Sequence, residues 1–335
     1  MSKSHIVIFR LGSMGDTIVA LPCFHAVRKA YPSANITLLT NFPVSAKAAP
    51  MFELLGVETG IVNNAISYSV GLEKPLEAIK LLYKIRSLKA TTLIYMRSGP
   101  TRWMIFRDKI FFHLAGFQNI LCIPKQKNQR VSRINPITLE VEPESKRLVR
   151  CFSQFAPISL SDRHNWDLRL SQAELSKAEQ IARTIPSPFL VVHTGGKAHQ
   201  KDWGFSNWIK FLQLFRQQSN AVGLAIVGSQ DDFERAEALA KSWGDGAVNL
   251  CGGPSPRVVC ALLSLANLFI GHDSGPLHLA QCSDSYALGL FGSYNKPKQW
   301  HPISPRIQII HEEMGIKHIN INQVLTKALK AWNRS

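Results

Sequence analysis

Length, composition and charge exclude several classes of protein. The chain has 335 residues, 45% hydrophobic and 19% charged, which is typical of two folded domains and excludes a disordered or fibrous protein. Its formal net charge of +16 lies mainly in residues 1–150, which hold 21 Lys and Arg against 9 Asp and Glu, so we expect an anionic partner such as nucleic acid, a membrane surface or an acidic glycolipid.

The first half of the chain alternates short apolar runs with amphipathic segments. The apolar runs predict strands over 5–10, 36–40, 91–96 and 119–123. Pro22 is expected to kink the first of the predicted helices, which cover 16–31, 76–88, 103–115 and 144–155. Strands that alternate with helices indicate a parallel sheet covered on both faces.

The same alternation restarts after a polar stretch at 124–143 and a predicted linker at 156–170. Further strands are predicted over 189–194, 223–227, 268–271 and 286–291. Further helices are predicted over 172–184, 205–217, 231–243, 256–266, 275–282 and 321–332. We therefore predict an α/β protein with two Rossmann-like parallel-sheet domains, residues 1–160 and 161–335, that face a central cleft. The last helix either stays with the second domain or packs back on the first.

The spacing of the cysteines and the lengths of the apolar runs indicate the cellular compartment of the protein. The six cysteines form no CxxC pair and no zinc-ligand spacing, which favours reduced thiols and no metal site. The N-terminal apolar run is too short for a signal-peptide core, and the longest apolar run, 258–270, falls short of a bilayer span. We expect a cytoplasmic protein whose basic half makes peripheral contact with the anionic inner membrane surface.

Ligands of open parallel sheets bind beyond the carboxyl ends of the strands, so the loops that follow strands are the candidate sites. The loop after the first strand contains Gly12, Ser13, Gly15 and Asp16, and its glycines allow close approach of backbone to a ligand. Asp16 is explained either as a helix N-cap or as a carboxylate that takes a proton from an acceptor hydroxyl. The loop is a poor match to the dinucleotide pattern GxGxxG.

A second glycine-containing loop follows the strand at 189–194. Thr194, Gly195 and Gly196 stand close to Lys197 and Lys201, which suits a cradle for phosphate but is also compatible with a flexible polar loop. The loop has no Walker A spacing.

A third loop leads into the helix predicted at 275–282. Asp273 and Ser274 are expected to cap this helix, and Gly275 and Pro276 lie in its first turn. The N–H groups and the positive end of the helix dipole would then bind a diphosphate without a metal, although an ordinary capped helix has the same pattern. His278 either lines the site or packs in the core. Likewise, 291–294 and 300–302 either wall a nucleotide pocket or pack as loops.

Five motifs together resemble glycosyltransferase family nine, the ADP-heptose:lipopolysaccharide heptosyltransferase family. They occur in the expected order between residues 6 and 302, and they are RLGSMGD at 10–16, HTGG at 193–196, KDW at 201–203, GHDSGPLHLA at 271–280 and LFGS at 290–293. The sequence departs from the family pattern at Tyr95, where many members carry Asp, at Gly204, and at 281–283.

The resemblance implies a GT-B fold and an inverting transfer of heptose from ADP-heptose to the lipopolysaccharide inner core, with no cofactor and no metal. Asp16 matches the family's general base and Lys201 the lysine that contacts the donor diphosphate. The remaining donor-binding positions are Thr194, Gly195, Gly196, Asp273, Ser274, Gly275, Pro276 and His278. The acceptor, lipid A–Kdo or a core oligosaccharide, is expected to meet Gly12, Ser13, Gly15, Arg97 and Arg102.

Three alternatives stay open. One is a related GT-B transferase with a different nucleotide sugar or acceptor, and another is a sugar-nucleotide epimerase. The third is a non-enzymatic protein that binds a polyanion. Nucleic acid is not the expected partner, because the basic residues are not interleaved with aromatic residues in one segment and no recognition motif is present.

Overall fold

The computed structural model describes residues 4–42, 49–69, 75–155, 157–196 and 198–334. The chain forms two compact units, Met1–Asn165 and Trp166–Ser335. The boundary between the two units falls within 156–170, the segment predicted to be the linker. Ala156 lies outside the described residues.

The first unit alternates strands and helices. Its strands are β1 His5–Phe9, β2 Asn35–Asn41, β3 Asn64–Tyr68, β4 Thr92–Tyr95 and β5 Asn119–Leu121. Its helices are α1 Met14–Val19, α2 Leu21–Ala30, α3 Met51–Leu55, α4 Pro75–Arg86, α5 Arg102–Leu114, α6 Lys127–Arg130 and α7 Glu144–Cys151. Short 3-10 turns occupy Val57–Thr59 and Arg163–Trp166.

The five described strands of this unit form one parallel sheet in the order β3-β2-β1-β4-β5. The central strand β1 has a buried run from Ile6 to Phe9, as expected for a strand with helices on both faces. On one face, Val7 and Phe9 pack with Leu81 of α4 and Phe112 of α5. The chain changes direction across the sheet between β1 and β4, which places the loops after these two strands side by side.

Pro22 divides the helix that was predicted over 16–31. α1 ends at Val19, Ala20 is the junction, and α2 begins at Leu21 with Pro22 in its second position. Proline lacks the N–H that would continue the helix, but it is well tolerated in a first turn, so the chain starts a new helix instead of bending one.

The second unit repeats the pattern with six described strands and six described helices. Its strands are β6 Phe189–His193, β7 Gly223–Ile226, β8 Ala247–Asn249, β9 Leu268–His272, β10 Ala287–Gly292 and β11 Ile307–Glu312. Its helices are α8 Gln172–Ala182, α9 Phe205–Gln218, α10 Phe233–Trp243, α11 Pro256–Leu265, α12 Gly275–Cys282 and α13 Ile321–Trp332. Short 3-10 turns occupy His199–Lys201, Gln230–Asp232 and Ile316–His318.

The second sheet is also parallel, with the order β11-β10-β9-β6-β7-β8. Its change of direction lies between β6 and β9, which pair with His193 opposite Gly271. The sheet is covered by a large apolar core that includes Trp203, Trp208 and Phe211. The loops after β6 and β9, which carry two of the motifs, therefore lie side by side at the carboxyl edge.

The last helix packs within the second unit. α13 lies against α9, β9 and β10, and the ring of Trp332 lies 5.4 Å from that of Phe215. Trp332 Nε1 also donates to Asn220 Oδ1 at 2.6 Å. These contacts join the helix to the unit in which the sequence first placed it.

Two further observations concern the whole described chain. Within the described residues, no helix is both long and apolar enough to cross a membrane. All six cysteines are described and none of them forms a disulfide. Burial raises the pKa of the Cys251 and Cys260 thiols to about 12, as expected for cysteines that serve as small apolar side chains.

Candidate functional site

The loops after β6, β9 and β10 bring a lysine and a helix N-terminus together in the second unit. Lys201 Nζ lies 2.9 Å from Asp273 Oδ2 and also donates to the Asp273 carbonyl oxygen at 3.3 Å. Asn295 Nδ2 donates to the same carboxylate oxygen. The ammonium group lies 4.5 Å from the centre of the Tyr294 ring. The structure thus places Lys201 directly beside the start of α12.

The first turn of α12 differs from the predicted capping arrangement. Ser274 is the N-cap residue and Pro276 lies in the first turn, as expected. Its hydroxyl donates to the His272 carbonyl at 3.1 Å and lies 3.0 Å from His193 Nδ1, so His193 is the donor in the second bond. Within the described residues, neither Ser274 nor Asp273 makes the predicted side-chain cap. The prediction was wrong because strand-end groups engage Ser274 and Lys201 engages Asp273.

His272 holds the glycine loop against this helix start. The backbone N–H of Trp203 and the indole N–H of Trp208 both donate to His272 Nε2, at 3.3 and 3.1 Å. That nitrogen is therefore unprotonated, and Nδ1 carries the proton and donates to the Gly195 carbonyl at 3.3 Å. Complete burial, with His193 nearby, lowers the pKa of His272 well below its ordinary value. The ring remains neutral and fixes the HTGG loop in one position.

Gly195 requires the absence of a side chain. A Cβ at this position would lie 2.6 Å from the Asp232 carboxylate, which itself accepts from the backbone and hydroxyl of Ser229 at 2.9 and 2.6 Å. Thr194 and Gly195 are buried, and Gly196 is partly exposed. Lys197, the other lysine from which a phosphate cradle was predicted, lies outside the described residues.

Three histidines lie near the same helix start. His278, in α12, is buried. His301 Nε2 lies 3.0 Å from His311 Nδ1, and the rings of both pack on Phe291. Burial and the neighbouring His311 lower the pKa of His301 to about 4. The His301 and His311 rings are neutral and pack on an apolar ring, and the predicted alternatives for 291–294 and 300–302 both remain compatible with that packing.

The first unit holds the loop that contains Asp16. Ser13 precedes α1, and Asp16 is the third residue of the helix, so Asp16 is not the N-cap. Its Oδ2 accepts from the Ser13 N–H at 2.9 Å, and its side chain is 28% exposed. Gly12 has φ +138°, and a Cβ there would collide with the Asp16 side chain. Asn41, at the end of β2, accepts from the Gly12 N–H through Oδ1 at 2.7 Å and donates to the Gly12 carbonyl through Nδ2 at 3.3 Å.

The fully buried side chain of Arg10 supports the Asp16 loop from the core of the first unit. Arg10 donates to the Met96 carbonyl and to Ser98 Oγ, at 2.7 and 2.8 Å, and to the Asp16 carbonyl at 2.9 Å. Its guanidinium also lies 3.9 Å from the carboxylates of Asp16 and Glu144. Arg10 thus lies close to two carboxylates, one in its own loop and one in α7. Arg10 therefore ties the Asp16 loop to the end of β4 and to α7.

The predicted acceptor residues Arg97 and Arg102 lie in different environments. Arg97, after β4, pairs with the buried Asp108 at 3.0 Å, and Asp108 also accepts from Arg107 and from Tyr95. Arg102 is exposed at the start of α5. The first unit carries the predicted site residues Gly12 to Asp16, Arg97 and Arg102. The second unit carries 194–196, Lys201 and 273–278.

Sequence reasoning missed three supporting side chains, namely Asn295, Asp232 and Asn41. Asp232 had a signal, because Ser229 followed three residues later by Asp is a capping box after a strand. Asn41 is a polar residue at the end of a strand beside β1. Asn295 had no local signal. Within the described residues, no group of three or more His, Cys, Asp or Glu is placed to hold a metal ion.

The second unit has the features of an anion site. Lys201 supplies a positive charge, and the first-turn N–H groups of α12 lie at the sheet edge beside it. A helix N-terminus with a nearby lysine binds phosphate oxygens well. The first unit instead offers a partly exposed carboxylate that has one hydrogen bond from backbone, which suits proton transfer.

Comparisons with known proteins assign the chain to a family. The model of glycosyltransferase family 9 (heptosyltransferase) matches residues 126–328. Lipooligosaccharide heptosyltransferase 2 of Campylobacter jejuni is 20% identical over 310 residues, which cover 90% of this chain and 85% of the relative. Lipopolysaccharide heptosyltransferase 3 of Escherichia coli is 21% identical over 287 residues, which cover 83% of this chain and 80% of the relative.

Solved structures show the same fold. A family 9 glycosyl transferase from Veillonella parvula superposes with a TM-score of 0.72 at 15% identity, over 99% of this chain and 98% of the other. ADP-heptose lipopolysaccharide heptosyltransferase II of Escherichia coli gives a TM-score of 0.70 at 14% identity, over 98% of this chain and 99% of the other. The predicted GT-B fold is confirmed by these likenesses, and the chain belongs to glycosyltransferase family 9, the heptosyltransferases.

Proposed function

We propose that this enzyme is an inverting transferase that moves heptose from ADP-heptose to an acceptor in the lipopolysaccharide core. The observation that carries the proposal is the juxtaposition of Lys201 with the first turn of α12 beside the glycine loop. Family membership supports the reaction class, and a relative among the heptosyltransferases of Escherichia coli was solved with ADP.

The donor half of the mechanism rests on charge. When the anomeric C–O bond breaks, negative charge grows on the departing ADP. Lys201 and the N–H groups of α12 are already held in position by Asp273, Asn295 and the strand-end histidines, so they stabilise that charge with little reorganisation. Because this chain's own groups meet the charge, no metal is assigned to the step. Gly195 lets the loop lie against Asp232, because any side chain at this position would collide with that carboxylate.

The acceptor half rests on Asp16. The carboxylate takes the proton from the acceptor hydroxyl as that oxygen attacks the anomeric carbon on the face opposite the diphosphate, which inverts the configuration. Arg10 positions the Asp16 backbone from within the core. Core acceptors of this class carry carboxylates and phosphates, which suits the basic first half, and Arg102 is exposed at the start of α5.

The test is ADP release from ADP-heptose by the purified chain with and without a core acceptor. We expect release only with acceptor, and the opposite anomeric configuration in the product. ADP should raise the melting temperature more than UDP or GDP does. Release without acceptor would indicate hydrolysis, and stabilisation by UDP alone would exclude the proposed donor and favour a different nucleotide sugar or an epimerase.

The role of Asp16 has its own variant. Asp16→Asn should lower kcat by about 10²–10⁴ while ADP affinity is unchanged, since only the base is lost. Asp245→Asn, at an exposed aspartate of the second unit, is the matched control and should keep full activity. Unchanged kcat in Asp16→Asn would remove Asp16 as the base.

A further inference from the structure

Two adjacent helices of the first unit present apolar outer faces. Leu81 and Ile85 of α4 and Phe112 of α5 pack into the same core, so both helices cover one face of the first sheet. Arg86 near the end of α4 donates to the Leu114 carbonyl at the end of α5, at 3.3 Å, which makes the two helices neighbours. A surface helix ordinarily turns polar residues to the outside. These two helices do not.

α4 carries an exposed apolar stripe opposite its core face. Leu76, Ile79 and Tyr83 are spaced three and four residues apart, so they lie along one side of the helix. They are 61%, 49% and 67% exposed, while Leu81 and Ile85 on the other side are buried. The stripe does not pack in the core, so core packing does not explain why its side chains are apolar.

α5 repeats the arrangement. Trp103, Phe106, Ile110 and Leu114 follow the same spacing and are 68%, 54%, 47% and 60% exposed, opposite the buried Phe112. The rings of Trp103 and Phe106 are in contact, with centroids 5.8 Å apart. The exposed stripes of α4 and α5, here called the outer face, thus form an apolar surface with two aromatic residues at one end. Contiguous exposed apolar surface of this kind marks an interaction site.

The rim of the outer face is basic. Residues 75–114 contain eight Lys and Arg against two acidic residues. One of the acidic residues, Asp108, is buried and paired with Arg97 and Arg107. On helical geometry, Lys80 and Lys84 both lie along one side of the α4 stripe, and Lys109 and Arg107 stand on the two sides of the α5 stripe; all four are exposed. The surface therefore combines apolar contact with positive charge.

We infer that the outer face of α4 and α5 binds the surface of an anionic phospholipid bilayer. Tryptophan, tyrosine and phenylalanine with an apolar body suit the boundary between headgroups and acyl chains, and a basic rim suits anionic headgroups. A second copy of the chain is a poorer occupant, because two such faces would bring their basic rims together. Long-stemmed lysines at the rim can extend their ammonium groups to the phosphates while the stripes lie deeper.

The experiment is flotation of the full-length chain with vesicles, without donor or acceptor. One set of vesicles is phosphatidylcholine, and the other is an equimolar mixture of phosphatidylcholine and phosphatidylglycerol. We expect binding to the mixed vesicles, weakened by added salt, and little binding to phosphatidylcholine alone. No binding to the mixed vesicles, or equal and salt-independent binding to both, would overturn the inference.

Two variants locate the binding surface. The double variant Trp103→Ser with Phe106→Ser should bind the mixed vesicles at least about tenfold more weakly. Lys80→Ser with Lys109→Ser should lose about thirtyfold, since each basic residue near such a surface strengthens binding about fivefold. The controls are Met314→Ser, an exposed apolar residue of the second unit, and Lys177→Ser with Lys210→Ser, which remove the same charge elsewhere.

The readouts separate this inference from the proposed reaction. All changed side chains are exposed, so thermal melting should be unaltered, and transfer to a lipid-free acceptor should continue in both variants. Wild-type affinity in both test variants would refute the inference even if transfer is confirmed. Loss of dimerisation in the Trp103 variant with vesicle binding intact would instead assign the face to a second copy. RNA binding that Lys80→Ser with Lys109→Ser abolishes, together with no binding to the mixed vesicles, would assign the basic rim to nucleic acid and refute the inference.

Discussion

Replacement of Lys201 by methionine tests whether one contact both supports the second unit and serves the donor. Methionine keeps the length and apolar stem of the side chain but removes the charge. Asp273, whose side chain is 7% exposed, would then keep the Asn295 hydrogen bond but lose its ion pair. Breaking a buried ion pair on one side costs about 3–5 kcal/mol.

The expected loss is at the lower end of that range. The Lys201 side chain is itself 19% exposed, so water screens the pair in part, and we expect Lys201→Met to lower the free energy of unfolding by about 3 kcal/mol. For a unit of this size, each kcal/mol shifts the melting temperature by about 2–4 °C, which predicts a decrease of about 6–12 °C. Calorimetry of the full chain measures it.

A second substitution separates stability from chemistry. Lys201→Met with Asp273→Asn leaves no unpaired buried charge, so the melting temperature should recover most of its loss. Transfer should remain about 10²–10³-fold below wild type, because the lysine that faces the leaving diphosphate is still absent. If the stability losses of Lys201→Met and Asp273→Asn simply add in the double variant, the two side chains are not coupled. Recovery of transfer together with stability would refute the role of Lys201 in the reaction.

Two further predictions concern the glycine before Asp16 and the buried histidines. Gly12→Ala should displace Asp16, cost about 1–3 kcal/mol of stability and lower kcat, measured beside Gly116→Ala, which also has positive φ but an open Cβ position. Burial lowers the pKa of His272 and His301, the latter to about 4 from 6.5, so the unfolded chain binds more protons between these values and stability should fall as pH falls through that range. His301→Leu should flatten the decrease in denaturant melts, and an unchanged slope would contradict the assignment.

The helices with a regular apolar repeat were predicted well, because that repeat indicates which side of the helix is buried. α12 and α13 have the predicted bounds, and α9 and α11 differ by one residue. In each of them an apolar side is buried, so the pattern in the chain and the burial in the fold coincide.

The missed strands share one position in the fold. β3, β8 and β11 each lie at the edge of a sheet. They are short or polar strands, and several of their residues are partly exposed. An edge strand is stabilised by pairing with a neighbour distant in sequence, and no local pattern records that partner. The same limit applies to the site: the motifs indicated Asp16, Lys201 and the start of α12, but not the Asn295 or His272 contacts that hold them.

The position of Arg10 has a consequence for engineering. Its partners come from the end of β4 and from α7 as well as from its own loop, so the Glu144 side chain helps to order a loop near residue 16. A chimera that exchanges the front of this enzyme for that of a relative should therefore be joined beyond Cys151. A junction placed earlier, even in an exposed turn, would bring in the Asp16 loop of the relative without the α7 helix that supports it.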